Sequence, residues 1–254
     1  MSDILSLYWW NLNNFLKEYI SIDLLTINKY FCKIGNFIQF TSLQISAWIL
    51  VIITFDRYLS IQIKNWKRVY FNSKKAYVLV LSLISFLIAI NSNIIFTFGY
   101  DTILGNVSVS FCFEVEGFPS TKWMTIWGKV HLMSYSVIPF IILFISNLLL
   151  IRKLLSRKPI SVSVINSNNS KKTRKNDRIN RTVIGLTALF ILMTLPLASA
   201  SFFFTQLFST DYGLFIIVLL DSISFSYHGF NFIFMAFSNK IFRQEYQKLF
   251  KLKK

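Results

Sequence analysis

Asp56, Arg57 and Tyr58 stand side by side in "ITFDRYLSI", residues 53 to 61, at the end of an apolar run and just ahead of Lys64, Lys67 and Arg68. An acid beside an arginine forms an ion pair whose strength depends on how dry its surroundings are. Where a helix meets a membrane surface, rearranging such a pair is energetically meaningful, which a switch requires. The same triplet also fits the plain polar end of a greasy helix. Two further acids, Asp3 and Asp221, fall at or within apolar runs, where an ionisable group marks a functional site by default. Covalent chemistry has little to work with. His131, His228, Cys32 and Cys112 have no metal-ligand spacing, and no nucleophile–base cluster appears. An enzyme is not expected.

The elements that must carry these residues are apolar to an unusual degree. Of 254 residues 54% are hydrophobic, 27 are Phe, and only 15% are charged, against roughly 25% charged in soluble domains. With a mean hydropathy of +0.52, this composition is that of a membrane protein. A bilayer core takes about 20 apolar residues per helix. Four runs meet that length: Ala76 to Phe98, His131 to Ile151, Thr182 to Phe208 and Tyr212 to Phe237. A fifth, Ile34 to Phe55, carries Gln39 and Gln44, whose polar groups at that depth belong on the inside of a bundle. The stretch 1–16 reads as part of one more helix.

The net charge of +16 is not spread over one folded face, as nucleic-acid binding would require, but sits in blocks between the spans. Nucleic acid is therefore excluded as a partner. Segments 56–75 and 152–181 and the tail 239–254 hold 22 of the 27 basic residues, and alternation of the spans puts all three on one side. By the positive-inside rule that side is the cytoplasm, facing an anionic inner leaflet. Asn106, in an Asn-Val-Ser sequon, then lies outside and is a glycosylation candidate. Cys32 and Cys112 lie outside too, where a disulfide persists. "VSVSFCFEV" alternates with period two after a Leu104-Gly105-Asn106 turn, which predicts a β-hairpin. The tail places Ile241, Phe242, Tyr246, Leu249 and Phe250 on one face opposite Lys and Arg, an amphipathic surface helix. The domain reading is a transmembrane bundle over 1–238 followed by a cytoplasmic helix and tail over 239–254.

Taken in order, these residues resemble a rhodopsin-like (class A) G-protein-coupled receptor. Cys32 stands 25 residues before Arg57, and Pro139, Phe190, Pro196 and Asn231 follow at that family's intervals. The resemblance implies an all-α heptahelical bundle and a Cys32–Cys112 disulfide. It implies an activation switch of Asp56, Arg57, Tyr58, Phe190, Pro196 and Asn231. It also implies an allosteric sodium ion held by Asp3, Ser46 and Asn231, with no other cofactor; the plainer reading of Asp3 is a helix cap. The match begins in the family's second helix, so a complete receptor is expected to have its first helix ahead of Met1.

Departures from the family pattern are specific. Thr194 stands for the usual tryptophan before Pro196, Phe232 for the proline after Asn231, and Asn147 and Met235 for two tyrosines. Without a proline at Phe232, the last span should run straighter. Gln39 takes the place of the amine-binding aspartate and Phe225 that of the retinal-binding lysine. Gln39, Gln44, His131 and Asp221 are the expected ligand contacts, with Asp221 suited to a basic peptide end. In the alternative reading Asp221 bonds only a neighbouring helix. The run from Phe31 to Ser60 is most similar to invertebrate FMRFamide-type neuropeptide receptors. The expectation is a plasma-membrane receptor for an extracellular peptide that activates a heterotrimeric G protein. Two alternatives stand beside it: a truncated, non-signalling partner of a full-length receptor, and a multi-pass transporter.

Overall fold

A largely apolar stretch free of proline lets α1 run unbroken from Lys29 to Gln62, 34 residues. At 1.5 Å per residue this is about 50 Å, longer than the roughly 30 Å hydrocarbon core. A computed structural model describes residues 12, 13, 15–105, 107–114, 120–156, 167–238 and 243. The expected helix over 1–16 falls mostly outside them, as does the surface helix over 239–254. After α1 come α2 (Ser73–Asn91), a hairpin of β1 (Phe98–Leu104) and β2 (Val107–Glu114), and α3 (Ser120–Leu132). Then follow α4 (Ile138–Leu155), α5 (Ser167–Phe203) and α6 (Asp211–Ser238). Among the described residues five helical segments are long and apolar enough to cross a membrane: Lys29–Gln62, Ser73–Thr97, Ile126–Leu155, Asp177–Phe203 and Asp211–Ser238. The chain is a helical membrane protein.

Side-chain caps set where the spans begin. Asn28 Oδ1 accepts from the Tyr30 amide at 2.9 Å, Asn72 Oδ1 from Lys75 at 3.0 Å and Thr210 Oγ1 from Gly213 at 3.1 Å, each satisfying a donor that the first helical turn leaves free. Two points differ from the hydropathy reading. The span starting near Ala76 runs on to Thr97, but its helix is broken after Asn91. There Asn91 Nδ2 and Ser92 Oγ donate to the carbonyls of Leu87 and Ala89, and polar side chains that compete for the backbone in this way unwind a helix end. A separate turn, Ile94–Thr97, then leads into β1. The span over Thr182 to Phe208 stops at Phe203, and Thr205–Ser209 forms a 3-10 turn instead. Gly213 lets that turn lie against α6: a Cβ there would be 2.1 Å from the Leu207 carbonyl oxygen.

The chain divides into two compact units, Met1–Ile49 with Phe71–Pro139, and Leu50–Tyr70 with Phe140–Lys254. In the first, Cys32, Leu43, Ala47, Leu87, Ile94 and Tyr135 form the buried apolar core. A π-turn over Met133–Val137 joins α3 to α4, with the Ile138 amide on the Met133 carbonyl. The next donor in that pattern would be Pro139, which has no N–H. The Ser134 carbonyl takes the indole Nε1–H of Trp48 on α1 instead, at 3.0 Å. In the second unit Leu143, Leu150, Leu186, Phe190, Ala198, Phe225 and Tyr227 are buried. Gly185 of α5 fits under Phe234 of α6, where a Cβ would come within 2.4 Å of the ring. The α6 helix is continuous through Phe232, as the lack of a proline there requires.

The hairpin is antiparallel, Leu104 opposite Val107, with a bulge between Phe98 and Tyr100. Gly99 makes the bulge possible at φ +76°, with the Lys29 carbonyl and Cys32 too close for a side chain. Gly105, at φ +68°, opens the two-residue connection.

Candidate functional site

At the end of α1 the Arg57 guanidinium donates to Asp56 Oδ2 at 2.5 Å, and the two side chains are 18% and 11% exposed. The other carboxylate oxygen, Oδ1, accepts from the indole Nε1 of Trp66 at 3.1 Å. A turn after Gln62 brings Trp66 back: Asn65 adopts the left-handed conformation at φ 62° and starts a short helix, Trp66–Val69. Trp66 then stacks on Tyr70, ring centroids 5.8 Å apart. Tyr58 sits beside Phe55, half-buried on the same helix. The sequence pattern placed Asp56 and Arg57 together but missed Trp66. The signal for it was an indole in a basic turn, since an indole N–H away from water seeks an acceptor.

The same unit contains the other expected switch residues. Phe190 is buried on α5 and packs edge-on against Tyr227 of α6, centroids 5.2 Å apart. Pro196 lies inside α5. Just before it, the Thr194 hydroxyl donates to the Phe190 carbonyl at 2.7 Å. A back-bonded threonine and a proline so close together both loosen a helix, so α5 is weakened here. Asn147 of α4 is buried and donates its amide to the Thr187 hydroxyl of α5. Asn231 and Asp221 both lie on α6, partly exposed, with buried Ser224, Phe225 and His228 between them. Among the described residues no hydrogen bond or ion pair engages the Asp221 carboxylate.

In the first unit Gln39, Gln44, Ser46 and His131 are all buried. Gln44 Oε1 accepts from Asn91 Nδ2 of α2 at 2.6 Å, and the His131 ring meets Phe40 edge-on at 4.5 Å. Phe40, Gln44 and Trp48 follow one another at helical spacing. One face of α1 therefore receives both α2 and the α3–α4 span, and Gln44 and His131 belong to that junction. Asn91 was not among the residues singled out from sequence, though an amide inside an apolar run asks for a buried partner.

Outside the spans, Cys32 and Cys112 are bonded, with Cα atoms 5.5 Å apart, tying β2 to the start of α1. Asn36 Nδ2 donates to the Cys32 carbonyl at 2.9 Å and lies 3.3 Å from Cys112 Sγ. Lys29 Nζ pairs with Asp101 Oδ2 and the Ser110 hydroxyl donates to Oδ1, both at 2.7 Å. The Lys29 bond first, and the Ser110 bond second, hold the Asp101 carboxyl below the usual carboxylate range. Asp3 and Asn106 lie outside the described residues. Among those that are described, no group of three His, Cys, Asp or Glu is placed to hold a metal.

Membrane-spanning helices, a disulfide near the start of the first long one and an Asp-Arg pair towards its other end define the class: a helical membrane protein. A model of the 7 transmembrane receptor (rhodopsin family) matches residues 2–235, and the chain belongs to that family. It is a family of signalling receptors and not of enzymes. No curated protein matches the chain.

Proposed function

We propose that this chain is a plasma-membrane receptor for an extracellular peptide, of the FMRFamide type, that activates a heterotrimeric G protein through Arg57. The observation that carries the proposal is the Asp56–Arg57 pair, which is largely out of solvent at the basic end of α1. A charge pair in such a place has two arrangements that differ in energy, which a solvated pair lacks. Ligand contact shifts α5 about the Thr194–Pro196 hinge, Phe190 and Tyr227 repack, Arg57 leaves Asp56, and the G protein enters. Asn231 and Tyr58 take part in that rearrangement. The blocks 56–75, 152–181 and 239–254 face the cytoplasm and its anionic lipid, and Asn106 carries glycan on the outer face.

Support for a peptide comes from the braced hairpin, a fixed outer wall of backbone and polar side chains. Asp221, a carboxylate without a partner among the described residues, suits a cationic group. The family resemblance alone offers Gln39, Gln44 and His131 as further uncharged ligand contacts, and here Gln44 is bonded to Asn91. An allosteric sodium ion, with Asp3, Ser46 and Asn231 as its residues, is proposed from the family resemblance alone. The test is a peptide screen on cells expressing the tagged chain with a G-protein dissociation sensor. A cationic peptide should activate it, and Asp221→Asn should weaken that peptide by at least 10-fold, about 1.4 kcal/mol, with surface expression unchanged. Silence towards all peptides, with normal surface expression, would overturn the peptide reading.

A further inference from the structure

We infer that the segment before α1 is a membrane anchor: Phe15, Tyr19, Ile20, Ile22 and Ile27 seat in the boundary between headgroups and acyl chains on the hairpin side of the bilayer. All five side chains are exposed, Tyr19 to 78%, yet they precede the span that starts at Lys29. Spanning does not account for them, and an apolar surface of this kind left in water calls for a partner. The backbone that presents it is fixed by its own bonds. The Ile22 amide closes back onto the Leu16 carbonyl at 3.0 Å, and Asn13 Oδ1 accepts from the Leu24 amide at 2.8 Å. Asp23 is compensated, with Lys17 on Oδ2 at 3.5 Å and the Leu25 amide on Oδ1 at 3.0 Å. Phe15 and Tyr19 stack, centroids 4.9 Å apart, and so present one surface.

Height along α1 selects lipid as the partner. Charges avoid the hydrocarbon, so the Asp56–Arg57 pair marks one edge of it. A thickness of about 20 helical residues then puts the other edge near about residue 36. Lys29 and Lys33 lie just past that edge, where their long stems reach the headgroups. At a rise of about 1.5 Å per residue, Cys32 stands about 6 Å beyond it, inside a headgroup layer about 5–7 Å deep. Ile27 is five positions before Cys32, and its turn, Leu24–Ile27, packs on β2, whose Cys112 is bonded to Cys32. The exposed surface then runs on into the span itself through Tyr30, Phe31 and Ile34, which share one side of α1 by helical spacing. Tyrosine and phenylalanine rings beside isoleucine and lysine are the side chains that a membrane–water boundary takes. The anchor thus holds the base of the hairpin against the bilayer.

The test is spin-label accessibility of the full chain in lipid nanodiscs. Both cysteines are in the Cys32–Cys112 bond, so one added cysteine takes one nitroxide. The label goes in turn on Tyr19→Cys, Ile22→Cys and Ile27→Cys. Ile145→Cys within a span serves as the lipid reference and Ser108→Cys on the hairpin as the water reference, all five positions being exposed. Collision with oxygen, which concentrates in lipid, is compared with collision with a water-soluble nickel chelate. The oxygen-to-nickel ratio at the three anchor sites should exceed that at Ser108 several-fold and stay below that at Ile145. A ratio equal to that at Ser108 would put the segment in water and overturn the inference. Poor access to both reagents would overturn it too, because a protein partner or a second copy would then cover the surface. The bonds of Asn13, Asp23 and the disulfide use none of the replaced side chains, so each variant should keep the wild-type Tm. The readout needs neither a ligand nor a G protein, so a failed peptide assignment leaves it intact.

Discussion

Asp101 has both carboxylate oxygens occupied, by Lys29 and by Ser110, and its folded value is lowered as a result. A lowered value contributes stability that is complete above the ordinary carboxylate value near about 4 and disappears as pH falls through the lower folded value. Protection of the hairpin amides Val107–Glu114 should therefore drop on acidification in that window, while Asp101→Asn should show a weaker, flat response. A pH-independent wild-type hairpin would contradict the pairing. At the Gln44–Asn91 bond the setting is buried and neutral. Asn91→Leu leaves Gln44 without its partner, and the loss should be about 0.6–2 kcal/mol, the range for hydrogen bonds between membrane helices. Thermal unfolding of Asn91→Leu, Gln44→Leu and the double variant gives the coupling directly. Additive losses would mean that the pair contributes nothing. These partners were hard to read from sequence, because a one-dimensional pattern gives a residue's depth but not the helix it faces.

Between elements, the joints are made by backbone shape as much as by apolar area. Trp48 serves the Ser134 carbonyl that Pro139 cannot, so Trp48→Phe keeps the packing and removes only the donor. It should cost about 1–3 kcal/mol, read as a lower Tm of the purified chain; an unchanged Tm would remove the joint's importance. Gly185→Ala puts a methyl into the Phe234 ring and should cost about 1–3 kcal/mol by overpacking. Gly128→Ala, with nothing within 4 Å of the added carbon, serves as its control. Sequence gave a good account of the spans, since runs of about 20 apolar residues have few other uses, and period two found the strand of the hairpin. It misjudged the end at Phe203 and missed the break at Asn91. Hydropathy counts Phe204 and Leu207 as apolar whether they continue a helix or turn away from it, and it does not weigh Asn91 and Ser92 as competitors for the backbone.

For the whole molecule, family membership follows from a match over residues 2–235, and what matters is whether the Asp56–Arg57 pair governs signalling. The ordered intervals from Cys32 to Asn231 were legible because they count residues along helices of fixed rise. Trp66 was not, because its distance from Asp56 depends on the turn at Asn65. The most direct measurement is guanine-nucleotide exchange on a purified heterotrimeric G protein, with the wild-type chain, Asp56→Asn and Arg57→Ala compared in nanodiscs. Asp56→Asn, which frees the arginine, should raise ligand-independent exchange several-fold above wild type, and Arg57→Ala should bring it to the level of empty nanodiscs. Equal exchange by all three folded proteins would contradict the account.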